Sequence, residues 1–283
     1  MANEEQKDYW NGDAGRRWAE EDAVMSRLLE PVSNKLMEHA QLRDYRRALD
    51  IGCGGGSQSL ALAKRLGSRA SVLGIDISEP LLGLAQTKKE SRAEDCAELD
   101  FLLADAAVHG FAQDSFDLLF SRFGVMFFED PIAAFSNLRS ACMPAATLAF
   151  CCWQAMPLND WLRIPIECAL QYLPPPERPD PHAPGPFAFA DKDRLEGILS
   201  TAGFSDIAVH PFSPTLRFHD SGSVEEAVGH LVRIGPLGVL LKDQPEDLLQ
   251  EIYPALESVL TPYFQDGALQ MATAIWLVTG KAD

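Results

Sequence analysis

Between residues 46 and 153, short apolar runs alternate with stretches of helical periodicity through five units. The runs are RRALDI (46–51), ASVLGID (70–76), LDFLLAD (99–105), FDLLFS (116–121) and ATLAFCCW (146–153). Runs this short, separated by helix-length stretches, read as strands of a parallel sheet, because parallel neighbours need a crossover connection. The expected helices run from Ser57 to Leu66 with Gly67 as C-cap, from an N-cap at Ser78 with Pro80 in the first turn, and from Pro131 onward. The series predicts an α/β doubly wound sheet whose ligand site lies at the C-terminal ends of its strands.

The rest of the chain is arranged around this core. Residues 1–45 are expected to form an N-terminal helical arm, on the helical spacing of Val24, Leu28, Leu29, Val32, Leu36 and Met37. Residues 46–153 are the α/β core, and 154–190, which contain PLNDW and YLPPPERPDPHAPGP, read as a lid insertion. Residues 191–283 complete the core. They begin with a helix at 191–202 capped by Asp191 and a strand near 204–210. A helical cap over about 211–268 (helices at 222–234 and 244–261) and a last strand, MATAIWLVTG (271–280), follow.

Forty-one Asp and Glu against 24 Lys and Arg give a net charge of −17, a field that repels nucleic acid and anionic membrane, so neither is an expected partner. No uninterrupted apolar run reaches membrane-spanning length and the first residues lack a leader pattern, so the expected location is the cytoplasm. Six cysteines, at 53, 96, 142, 151, 152 and 168, show neither a CxxC pair nor His/Cys ligand spacing. They read as small core residues in a reducing compartment, without metal.

The most informative stretch is LDIGCGGG (49–56), an acid at a strand end followed by glycines at alternate positions. Gly52, Gly54 and Gly56 let the backbone turn sharply and approach a ligand closely. A dinucleotide fingerprint needs GxGxxG, and counting from Gly52 its sixth position is Ser57, which weakens a dehydrogenase reading. Asp50 suits an ammonium group and not a diphosphate. Asp76 closes the second run 24 positions after Gly52, where a carboxylate accepts from both ribose hydroxyls. Asp105 closes the third, placed to accept from an adenine amino group, with Ala106 leaving flat space for the base.

On LDIGCGGG (49–56), GIDIS (74–78), LADA (103–106), FDLLFSRFGVMFFEDP (116–131) and IWLVTGK (275–281), the chain resembles class I S-adenosylmethionine-dependent methyltransferases. It resembles especially the broad ubiquinone- and menaquinone-methyltransferase-like group (methyltransferase type 11/25) of that family. The resemblance implies a Rossmann-like sheet of seven strands, the last antiparallel, and S-adenosyl-L-methionine as cofactor with S-adenosyl-L-homocysteine as product. It makes Asp50, Gly52, Cys53, Gly54 and Gly56 the loop at the methionine end. Asp76 and Ile77 become ribose and adenine contacts, Asp105 and Ala106 the adenine edge, and Ser121 and Arg122 the neighbours of the methionine moiety.

Methyl transfer from a sulfonium is an in-line displacement that alignment and desolvation can accelerate without a general base. His109, His182, His210 and His219 each stand alone in sequence, and no catalytic base is assigned. Glu129-Asp130 before Pro131 reads as a helix cap and not as a metal-binding carboxylate pair, so the reaction is expected to be metal-independent. Tyr9, Trp10, Arg17 and Trp18 either fold over the cofactor or anchor the arm. Trp18, Phe123, Met126, Phe127 and Phe128, with Trp153, Trp161 and Tyr172, are candidates for the pocket of a small-molecule acceptor that is apolar or aromatic in part. Three alternatives stay open: a non-catalytic cofactor-binding or regulatory protein, cyclisation or decarboxylation with the same cofactor, and a Rossmann-type NAD-dependent oxidoreductase. Acceptor atom, pathway and oligomeric state are not legible.

Overall fold

The computed structural model describes residues 3–42, 44–90, 95–174, 180–220 and 222–282. Four short helices open the chain: α1 (Glu4–Asn11), α2 (Asp13–Glu20), α3 (Asp22–Leu28) and α4 (Glu30–His39). The five strands follow as β1 (Arg47–Ile51), α5 (Ser57–Leu66), β2 (Ser71–Asp76), α6 (Glu79–Glu90), β3 (Glu98–Leu103), β4 (Phe116–Arg122), α7 (Pro131–Ser140) and β5 (Cys142–Trp153), and the expected alternation is broken once, since β3 passes to β4 without a helix. Next come α8 (Asp160–Ala169), α9 (Lys192–Thr201), β6 (Phe204–Phe212), β7 (Thr215–His219), α10 (Val224–Ile234) and α11 (Pro236–Leu241). The chain continues through α12 (Glu246–Leu260), β8 (Phe264–Gln265), β9 (Ala268–Ala272) and β10 (Ile275–Ala282).

Two compact units emerge. The first holds residues up to 153, 181–212 and those from 275 onward. Its seven-stranded sheet runs β3-β2-β1-β4-β5-β10-β6, with β1 to β5 parallel and β10 antiparallel to both neighbours. Leu49, Ile51, Ile75, Leu99, Leu118, Phe120 and Phe150 on its strands are fully buried. Removing such side chains from water stabilises the fold by about 1.5–3 kcal/mol each. From α7, Phe135 packs 5.7 Å from Phe150 and 6.1 Å from Phe189. The helix starts are capped as their sequences predict: Asp130 accepts from the Ala133 N–H and Asp191 from the Arg194 N–H, each at 3.0 Å.

The second unit holds residues 154–180 and 213–274. Its sheet, in the order β7-β9-β8, is antiparallel, and α8, α10, α11 and α12 belong with it. Ser223 and Glu226 close α10 with a reciprocal capping box. Trp161 on α8 stacks on Phe218 of β7 at 5.0 Å.

The elements depart from the sequence expectation in several places. The predicted final strand at 271–280 is two strands. Between them Thr273 turns to Pro214, its N–H and hydroxyl both donating to that carbonyl, and the Ala274 N–H donates to Asn159 Oδ1 at 2.8 Å. Unbroken apolar character hid that change of partner. The 154–190 segment carries a regular helix, α8, and its residues 181–190 go with the first unit, where the Gly185 N–H donates to the Met126 carbonyl. Part of its proline cluster, residues 175–179, lies outside the described residues. The helical stretch at 244–261 is preceded by a separate helix, α11.

Candidate active site

The loop from β1 into α5 is built on three left-handed glycines, Gly52, Gly54 and Gly56, with φ of +65°, +54° and +76°. Each meets a different demand. A Cβ on Gly52 would lie 2.7 Å from Gly124 Cα, and one on Gly124 would lie 2.4 Å from the Ile51 carbonyl oxygen, so the loops after β1 and β4 touch backbone to backbone. At Gly56 a Cβ would collide with Ala85 and Phe101, whereas nothing lies within 4 Å of the Cβ position of Gly54. Open space above a backbone that excludes side chains is a cradle.

Ser121 locks the two loops together. Its hydroxyl donates to the Ile51 carbonyl at 2.7 Å and accepts from the Gly124 N–H at 3.2 Å, and the residue has no exposure. Ser121, expected beside the methionine moiety, has its polar atom engaged within the protein. Cys53 likewise turns its side chain into an apolar cluster with Leu82, Ala85 and Phe101, where burial pushes the thiol well above its usual range. Only its backbone belongs to the loop face.

Around this loop stand the three carboxylates. Asp50 is 1% exposed and accepts from Ser59 Oγ at 2.5 Å. Desolvation pushes it up to about 7, against the opposing Ser59 hydrogen bond and Arg122 charge, and the Asp76 charge adds to the rise. Asp76 accepts from the Gly54 N–H at 2.8 Å and the Ser78 N–H at 2.9 Å, so its carboxylate ties the tip of the glycine loop to the end of β2. Its pKa is also raised by desolvation, with those bonds opposing. Asp105 lies two residues beyond β3; its Oδ1 accepts from the Ala107 N–H at 2.9 Å, and both oxygens accept from Asn3 Nδ2 at 3.2 Å. Ala106 beside it is buried.

The arm supplies several residues that no sequence signal singled out. Asn11 Nδ2 donates to the Ile77 carbonyl and Asn11 Oδ1 accepts from the Glu79 N–H, both at 2.9 Å, while Ser78 Oγ donates to the Trp10 carbonyl at 2.7 Å. Trp10 meets Trp18 and Phe127 edge-on, at 6.0 and 5.3 Å. Asp22 on α3 pairs with Lys88 of α6 and comes so close to the glycine loop that a Cβ on Gly55 would lie 2.2 Å from its oxygen. Arg122 donates to Ser33 Oγ at 2.8 Å; burial lowers its pKa and the neighbouring Asp50 and Asp22 charges offset that. Arg17 is exposed.

Beyond β4 the chain takes an unusual turn. Phe123 has φ of +64°, an outlier for a bulky residue, and its ring stacks on Trp153 with centroids 4.4 Å apart and planes 12° apart. Met126 is buried and Phe128 packs on Phe135 at 5.7 Å. Of the other pocket candidates, Trp161 and Tyr172 belong to the second unit, Trp161 stacked on Phe218 and Tyr172 exposed. The histidines are dispersed: His109 packs on Phe111, His210 on His39, His219 near His230, and His182 is exposed. Among the described residues no group of three or more His, Cys, Asp or Glu is placed to hold a metal ion.

The sheet order, the glycine loop and the strand-end acids together define a class I S-adenosylmethionine-dependent methyltransferase core. Residues 49–150 match the family model described as methyltransferase domain, and that segment belongs to the family. Aklanonic acid methyltransferase DauC of Streptomyces sp. (strain C5) is 28% identical over 129 residues, which cover 46% of this chain and 58% of the relative. The chain thus spans little more than half of that protein's length. Demethylmenaquinone methyltransferase of Staphylococcus carnosus (strain TM300) is 23% identical over 188 residues, 63% of this chain and 76% of the relative. Among solved structures, phosphoethanolamine N-methyltransferase 2 of Haemonchus contortus, in complex with S-adenosyl-L-methionine, matches with a TM-score of 0.57 and 17% identity. That match covers 97% of this chain and 59% of the other, and establishes likeness of fold.

Proposed function

We propose that this chain binds S-adenosyl-L-methionine at the β1–α5 loop and transfers its methyl group, without a metal, to a small-molecule acceptor that is apolar or aromatic in part. The observation that carries the reading is the tie between Asp76 and the Gly54 and Ser78 N–H groups, beside a left-handed glycine with open space above it. This arrangement fits the cofactor: Asp76 keeps lone pairs for ribose hydroxyls, Asp105 presents a carboxylate to an adenine amino group, and Asp50 complements an ammonium. When bound, the cofactor supplies an electrophilic methyl on a good leaving group.

The protein's own work is then to orient and to exclude water. The Gly52–Gly124 contact and the Ser121 bridge hold the loop rigid, so little reorganisation is needed on binding. Phe123, stacked on Trp153 just past β4, offers a flat apolar wall, and the names of the quinone and polyketide relatives support an acceptor of that character. Six free cysteines, five of them buried, support a reducing cytoplasmic location, and among the described residues no helix is long and apolar enough to cross a membrane. The test is incubation with methyl-labelled S-adenosylmethionine and fractionated small-molecule extract, with and without EDTA. Label in an organic product, S-adenosylhomocysteine in equal amount and indifference to EDTA are expected; loss of turnover restored by magnesium would overturn the metal-free reading.

A further inference from the structure

Asn3 stands at the N-cap position of α1, where its side chain would ordinarily accept from the first turn of the helix. It makes no such bond. The residue instead adopts a left-handed backbone, φ 60° and ψ 20°, and sends its carboxamide to residues more than a hundred positions away. Nδ2 donates to both Asp105 oxygens, Oδ1 accepts from the Glu129 N–H at 3.0 Å, and the Asn3 N–H donates to Glu129 Oε2 at 2.8 Å. Asn3 and Asp105 are 5% and 7% exposed, so the contact between them is shielded from water, whereas Glu129 at the other end is exposed. A shielded contact is stronger and more directional than an exposed one.

We infer that Asn3 is a positioning residue of the adenine subsite, holding the Asp105 carboxylate in the orientation that reads an adenine amino group and latching the arm over it. The inference rests on the cofactor reading above. Asp105 Oδ1 takes two donors, from Asn3 and Ala107, whereas Oδ2 takes one, from Asn3. A carboxylate has about four acceptor sites, so one place on Oδ2 stays open to a further N–H. The bifurcated Nδ2 donor, with the Ala107 N–H on Oδ1, restrains the carboxylate and therefore the direction of that place. The same arm is fastened to the neighbouring Ile77 and Glu79 by Asn11, so arm closure and base recognition share one set of bonds.

The experiment is calorimetric titration of the full chain with S-adenosylhomocysteine and with S-inosylhomocysteine, which carries an oxo group in place of the adenine amino group. The unaltered protein should prefer the adenine compound, because an oxo oxygen facing Asp105 offers no donor. Asn3→Ala should weaken S-adenosylhomocysteine about tenfold and shrink that preference, and raise hydrogen exchange at the Glu129 amide. Asn3→Asp, of the same size, sets a third carboxylate against Asp105 and Glu129 and should weaken binding further. If Asn3→Ala binds unchanged, binds tighter, or weakens both ligands equally, the inference is overturned: the amide is then inert, a competitor, or a lid alone. Asp76→Ala serves as control, since it should lose affinity whatever Asn3 does. Absence of any binding by the unaltered protein would remove the cofactor reading, and the inference with it.

Discussion

The two units of the molecule use their buried surface differently. In the first, acids, glycines and a serine are buried or half-buried at the strand ends and tied to named backbone groups: Asp50 to Ser59, Asp76 to Gly54 and Ser78, Ser121 to Ile51 and Gly124. In the second, the interior is chiefly leucine, isoleucine and alanine, with Trp161 stacked on Phe218 and with fewer polar ties, such as those of the buried Asn159 and Thr273. A buried polar group left unpaired is costly, so its partners leave little freedom at that position. Apolar packing accepts many residues of similar volume. The first unit therefore carries chemistry that can be read residue by residue, and the second carries shape.

The sharpest break in this comparison should come from the glycine loop. Gly52→Ala puts a Cβ against Gly124 at a left-handed backbone, and we expect a loss of about 3 kcal/mol or more in unfolding free energy. A chemical-denaturation midpoint that does not move would show the two loops able to part. Next in size is Asp76→Ala, expected to weaken S-adenosylmethionine by about 2 kcal/mol or more through loss of charged hydrogen-bond acceptors. Unchanged calorimetric affinity in a folded variant would falsify the ribose assignment.

A smaller effect concerns protons. Burial holds Asp50 near a pKa of about 7, so at or below that pH a large share of it is protonated. Without ligand, the raised value means the native state binds more protons than the unfolded chain, and stability falls as pH rises from about 4 to about 7. A cationic ammonium beside Asp50 lowers its pKa again, so cofactor binding should release up to about one proton and tighten by up to about tenfold from pH 6 to pH 8. Titrations at pH 6.5 in buffers of different ionisation enthalpy measure that release, and its absence would place the ammonium elsewhere. Smallest is the expected effect of Trp161→Ala on the cofactor, within about threefold, or roughly 0.7 kcal/mol. Loss of cofactor binding in a folded Trp161→Ala protein would erase the distinction between the units.

How far the sequence could be read follows the same divide. The five strands with the helices after the first, second and fourth, the caps at Asp130 and Asp191, and the strand-end positions of Asp50 and Asp76 were legible, because each is a local pattern of a few residues. The Asn3–Asp105 and Gly52–Gly124 contacts were not. They join segments distant in sequence, and an asparagine in a polar arm or a glycine after Phe123 has no periodicity to announce it. Cys53 and Ser121 show a further limit: a motif gives a position in the loop, while the direction of the side chain is decided by neighbours the motif does not contain.

The place of β10 between β5 and β6 has a consequence for synthesis. On the ribosome β1 to β5 can pair as soon as they emerge, but β6 has no neighbour in the sheet until residues 275–282 have been made. Throughout translation of residues 154–274, β5 is an open edge whose residues from Ala146 to Trp153 are all buried in the folded protein. An unpaired apolar edge is a template for wrong partners. Nascent chains stalled before residue 275 should therefore depend on chaperones far more than chains that have reached residue 282, and the closing event of folding is the arrival of a strand at a seat prepared long before it.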